Sequence, residues 1–153
     1  MTFDMPSKFT VDQKGSSDVR ITTTGAEKSR FTVVLCVTAD GTKLPAYVIF
    51  RRKTIPSGSF PSNIIVSANE KSCMTSSETL LWHENVWMKR KTSIFNRKSL
   101  LMLDSAPGHR TEDVKKRFSA AGTLIGMIPG GLTKKLQVLD ISVNKSFKAH
   151  LRR

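Results

Sequence analysis

An uninterrupted apolar run, Leu100-Leu101-Met102-Leu103, closed by Asp104, constrains the fold of this chain more than any other stretch. Because the run is continuous rather than alternating, it reads as a short buried strand. A helix pattern follows, with Thr111 as its N-cap, Val114, Phe118 and Ala121 on one face, and Gly122 at its end. Leu124-Ile125-Gly126-Met127-Ile128 forms a further short strand, stopped by Pro129-Gly130-Gly131. A last helix begins near Leu139, where Leu139, Val143, Phe147 and Leu151 recur every fourth residue. The second half of the chain is therefore β-α-β-α.

The first half is richer in strands. Residues 1–20 are polar and irregular apart from a strand around Met1–Asp4. Phe31–Val37 carries β-branched residues in strand fashion, Asp40-Gly41 supplies a turn, and Tyr47–Phe50 returns, with Pro45 near its start where a missing N–H does least harm. Ile64-Ile65-Val66 is a third strand after a Pro-, Ser- and Gly-rich loop over Thr54–Asn63. A helix is expected over Glu78–Arg90, with Leu80 and Trp87, and Leu81 and Met88, paired at two-turn spacing as core contacts. The whole reads as a β-meander, a helix, then β-α-β-α: one α/β domain over residues 1–153, with no internal repeat.

Lysine and arginine number 25 against 12 acidic residues, a net charge of +13 that favours a polyanionic partner. Runs such as Arg51-Arg52-Lys53 and Lys89-Arg90-Lys91 read singly as solvated faces; their sum points to nucleic acid. Two cysteines, Cys36 and Cys73, make no disulfide framework, and Cys36 sits in an apolar strand as a core thiol. No apolar run reaches membrane-spanning length, and the histidines and cysteines lack zinc-ligand spacing. Gly130-Gly131-Leu132-Thr133-Lys134 lacks the spacing of a nucleotide-phosphate loop, so no small-molecule cofactor is expected.

Two carboxylates occupy informative places. Asp104 ends a strand and Asp140 opens a helix, and carboxylates converging from such points can hold a hard divalent cation. The plainer reading is an acidic strand end and an acidic helix start favoured by the helix dipole, and spacing alone prefers it. The flanking residues reverse that preference. Leu101-Met102-Leu103-Asp104-Ser105-Ala106-Pro107-Gly108-His109 resembles the second-aspartate motif of DDE transposases. Ile128-Pro129-Gly130-Gly131-Leu132-Thr133, continued by Gln137-Val138-Leu139-Asp140, Ser142, Asn144-Lys145 and Phe147-Lys148, resembles the third-aspartate motif of the pogo/Tigger branch. Thr22–Val33 with Ala39–Pro45 resembles that branch's β-hairpin region, and Phe3-Asp4-Met5-Pro6 its segment near the start. Val138 stands where the family writes proline, and Ser105 where asparagine is frequent.

The resemblance implies a ribonuclease H-like mixed sheet flanked by helices, and phosphodiester cleavage and strand transfer on DNA with Mg²⁺ or Mn²⁺ held by three carboxylates. It assigns Asp104 and Asp140 as catalytic metal ligands. The family's first aspartate lies in an Asp-Glu/Gln-Thr-Pro motif just ahead of the Phe-Asp-Met-Pro segment and would fall before residue 1. The expectation is thus a domain truncated at its N-terminus, with its central first strand largely missing, cleavage lost or impaired, and exposed pairing edges that invite instability, aggregation or self-association. His109 either hydrogen-bonds near the site or stabilises its turn. Asn144, one turn after Asp140, is placed to orient a carboxylate or phosphate. Lys145, Lys148 and Arg152 either flank a DNA groove or form a solvent-facing basic helix end, and Lys134 and Lys135 join them as nucleic-acid-binding candidates. The implied location is the nucleus. The competing expectation is a non-enzymatic basic DNA-binding or protein-interaction module derived from a transposase.

Overall fold

The computed structural model describes residues 11–17, 30–90, 98–137 and 139–151, and of residues 133, 134, 140 and 151 the backbone only. The expected strand around Met1–Asp4 and most of the hairpin match before Arg30 lie outside the described residues.

β1 (Phe31–Val34) and β2 (Ala46–Arg51) pair antiparallel, with Phe31 opposite Phe50 and Val34 opposite Tyr47. The reversal between them is built by Asp40 and Gly41. The Asp40 carboxylate accepts from the Thr42 N–H at 2.9 Å and from the Thr38 hydroxyl, while Gly41 takes φ +85°, a region that side chains strain to enter. β3 (Ile64–Asn69) lies beside β2 but runs parallel to it, with Ala46 opposite Ile64, so the expected β-meander is not formed. The connection over residues 52–63 supplies the dozen or so residues that a parallel return requires.

α1 (Ser76–Trp82) starts where Thr75, in extended conformation, caps it by accepting from the Glu78 N–H. It continues into a π-helical turn, His83–Trp87, in which the Met88 N–H reaches back to the His83 carbonyl. The buried stripe runs through Thr79, Trp82, His83, Val86 and Trp87, whereas Leu81 and Met88 are 43% and 52% exposed. Leu80 and Trp87 pack against the core as expected. Leu81 and Met88 do not, because among the described residues the helix is covered on one side only.

β4 (Ser99–Asp104), α2 (Glu112–Ala120) and β5 (Thr123–Ile128) form the expected β-α-β unit, its two strands parallel with Leu101 opposite Ile125. Val114 and Phe118 of α2 are fully buried and share one core with Leu101, Tyr47, Ile49 and Trp82. The expectation of a wholly buried strand fails on its other face. Leu100, Met102 and Leu124 are 63%, 55% and 68% exposed, because α2 covers one side of the pair and no described element covers the other. Thr111 holds the N-cap position with extended backbone, yet its hydroxyl is buried and makes no cap bond.

Beyond β5 come α3 (Thr133–Leu136), a π-helical turn over Leu139–Val143, and α4 (Asn144–Leu151). The strands form a mixed three-stranded sheet and a parallel pair rather than one continuous sheet among the described residues. Strands and helices together make a mixed α/β architecture, as expected. Among the described residues no helix is long and apolar enough to cross a membrane.

Candidate catalytic carboxylate site

Asp104 is the last residue of β4, where the chain leaves the sheet and turns through Ser105 and Ala106 into a single 3₁₀ turn, Pro107–His109. Its side chain is half-exposed, and its oxygen Oδ1 does two things. It accepts the Ala106 N–H at 3.3 Å, a local turn that an aspartate makes with the residue two ahead, and it lies 2.9 Å from Nδ1 of His109. The same Nδ1 is 3.3 Å from the Asp104 carbonyl oxygen. His109 is buried, so its ring is fixed by surroundings as well as by bonds. Among the described residues no donor engages the other carboxylate oxygen, Oδ2.

The pair is electrostatically coupled. The hydrogen bond from His109 holds the Asp104 pKa below the ordinary carboxylate value, against the opposing effect of burial. Burial pulls the His109 pKa down, but the hydrogen bonds to the Asp104 carboxylate and main chain, with the carboxylate's charge, outweigh it and leave a net rise. The result is an ionised carboxylate at neutral pH with Oδ1 bonded within its own turn.

Asp140 falls in the π-helical turn Leu139–Val143, and its side chain lies outside the described residues, as do those of Lys134 and Arg152. Asn144 begins α4 and is half-buried. It lines a cavity of about 220 Å³ with Phe147 and Lys148 of the same helix and Thr32, Val33 and Leu35 at and just beyond β1. Lys135, Lys145 and Lys148 are exposed, and Lys148 is the one of these that also faces β1.

A divalent metal needs several hard oxygen donors. Asp104 has the right chemistry, an ionised carboxylate with an unengaged oxygen. Among the described residues, however, no group of three His, Cys, Asp or Glu side chains stands close enough to hold an ion.

Two features of this turn were not anticipated from the sequence. The Ala106 N–H bond follows from aspartate's habit of bonding two residues ahead, and could have been read from Asp-Ser-Ala. The second is the packing of Gly108 on the start of α1. A Cβ there would collide with the Met74 carbonyl oxygen and come within 3.0 Å of the Thr75 carbonyl carbon. Nothing near Gly108 in sequence signals that contact.

The chain matches the family described as DDE superfamily endonuclease over residues 28–153. A Homo sapiens protein and a Mus musculus protein, each described as pogo transposable element with KRAB domain, are 39% and 38% identical to it over 149 residues, 97% of this chain and 24% of each relative. A Homo sapiens pogo transposable element with ZNF domain is 31% identical over 155 residues, 99% of this chain and 11% of that protein. The chain therefore spans a quarter or less of the length of these curated relatives. No solved structure matches it.

Proposed function

The chain belongs to the DDE superfamily endonucleases, of the pogo transposase type, and from that premise we propose that it is a transposase-derived DNA-binding domain carrying two ligands of a divalent-metal site, Asp104 and Asp140. The observation that supports this best is the Asp104 carboxylate: ionised, held at a strand end by His109, with Oδ2 unengaged among the described residues. Mg²⁺ or Mn²⁺ bound there would supply Lewis-acid assistance to phosphodiester displacement. The protein's own contribution is positional. His109 fixes the carboxylate rotamer and keeps it charged, Asn144 orients a carboxylate or phosphate, and Lys134, Lys135, Lys145, Lys148 and Arg152 hold the DNA backbone by charge. The 153-residue domain acts in the nucleus.

On this reading the 153 residues by themselves do not nick DNA, because they hold two of the three carboxylates that position the ions. Displacement of reacting groups by about 1 Å already costs on the order of a hundredfold. The test is nicking of a supercoiled plasmid by the purified chain with Mg²⁺ or Mn²⁺, beside Asp104→Ala and Asp140→Ala. Absence of nicking is expected. Nicking lost in both variants would show that two carboxylates suffice and overturn that expectation for the isolated chain. Nicking that survives in both would come from a contaminating nuclease.

A further inference from the structure

We infer that Gly108 is a positioning residue for the Asp104 carboxylate: its lack of a Cβ lets the turn over residues 107–109 seat backbone-to-backbone on the start of α1, and that seating aims His109 at Asp104. The inference rests on the reading of Asp104 as a metal ligand and adds how that ligand is aimed.

Gly108 has no unusual backbone conformation that would demand glycine; the demand comes from space. The surface it meets cannot yield easily. The Asn69 side chain clasps the preceding turn, donating to the Cys73 carbonyl at 2.9 Å and accepting from the Lys71 and Cys73 N–H groups at 3.1 and 3.2 Å. Thr75 caps α1, and the Thr79 hydroxyl donates to the Thr75 carbonyl at 2.8 Å while lying 3.5 Å from the Gly108 carbonyl oxygen. Glu78, buried one turn into α1, is tied to β2 and β3 through Tyr47, Ser67 and Asn69. The start of α1 is thus fixed from three sides.

A methyl group at position 108 must therefore move the turn rather than the helix. A displacement on the order of 1 Å would lengthen the His109–Asp104 contact past hydrogen-bonding range. His109 would let go of Asp104 while the core, centred on Phe118 and Trp82, stayed in place.

The experiment compares the wild-type chain with Gly108→Ala by ¹⁵N–¹H correlation of the imidazole rings, with His109→Gln assigning the His109 signals. In wild type the His109 proton is expected on Nδ1, protected and hydrogen-bonded. In Gly108→Ala that signal is expected to be lost, while the indole N–H resonances of Trp82 and Trp87 keep their positions. A folded Gly108→Ala chain that retains the wild-type His109 signal overturns the inference and leaves the metal-ligand reading standing. Absence of the signal in wild type overturns the His109–Asp104 clamp itself. If Gly108→Ala does not fold, Asn69→Ala loosens the same support without adding an atom; broadening of the His109 Nδ1–H signal is then expected, and an unchanged sharp signal overturns the inference.

Discussion

Glu78→Ala should be among the most damaging single substitutions in this chain, although the partners of Glu78 among the described residues are Tyr47, Ser67 and Asn69 rather than Asp104. Its carboxylate is buried, with Oε2 accepting the Tyr47 hydroxyl at 2.7 Å and Oε1 accepting the Ser67 hydroxyl at 3.1 Å and the Asn69 amide at 3.2 Å. Three neutral donors from two strands stand in for water around it. Truncation to alanine leaves all three without an acceptor, and each buried unsatisfied donor costs about 1–3 kcal/mol. Tyr47, 2% exposed, is the least able to find water, whereas Asn69 sits nearer the surface. The expected loss is therefore about 3–6 kcal/mol, a large part of the roughly 5–15 kcal/mol that holds a domain folded. Glu78→Gln keeps the shape and one acceptor, and the Tyr47 hydroxyl can rotate to accept from the new amide, so about 1–2 kcal/mol is expected. Urea denaturation followed by tryptophan fluorescence measures both, with Tyr47→Phe completing a double-mutant cycle expected to show coupling of about 0.5–3 kcal/mol. A Glu78→Ala unfolding free energy within about 0.5 kcal/mol of wild type, or additive behaviour in the cycle, would refute the reasoning.

Three further outcomes are expected. His83 is buried with neither ring nitrogen hydrogen-bonded among the described residues, packs edge-on against Phe118 at 4.3 Å, and has its pKa lowered by burial and then by Arg117 and Arg90 against the opposing pull of Glu84. Protonation thus favours the unfolded chain: stability should be full above about pH 6.5, the unfolded value, and fall toward the lower folded pKa. His83→Leu should flatten that dependence in melts across pH, and an unchanged slope would count against it. DNA binding should be independent of sequence and weaken by on the order of a hundredfold between about 50 and 200 mM salt if about four basic groups meet phosphates. Fluorescence anisotropy on two unrelated duplexes tests this, and salt-insensitive binding would contradict it. The exposed face of Leu100, Met102 and Leu124 should limit solubility, so Leu124→Lys should raise the concentration at which the chain precipitates and shift its melting little.

The β-α-β unit was legible because each of its signals is local. The apolar run before Asp104, the Val114–Phe118 face and Gly122 at φ +70° all stand where the pattern places them. The direction of β3 was not legible, since a loop's length permits a parallel return but does not enforce one. Nor was the exposure of Leu100 and Met102, because a run's hydrophobicity says nothing of which neighbours cover it. Leu81 and Met88 misled for the same reason. At the candidate site, Asp104 and His109 stand in one short motif, and the structure sets them 2.9 Å apart. Glu78 was silent in sequence: a glutamate in a helix's first turn suits the dipole anyway, and its partners at 47, 67 and 69 come from other elements. Gly108 was silent too, because the atoms that forbid a side chain belong to Met74 and Thr75.

The central claim is that Asp104 and Asp140 face one divalent cation, and Mn²⁺ titration followed by backbone amide NMR tests it most directly. A shared ion should broaden residues 104–109 and 139–144 together at the same Mn²⁺ concentration, and Asp104→Ala or Asp140→Ala alone should abolish both effects. Broadening confined to one segment, or surviving in either variant, would contradict it.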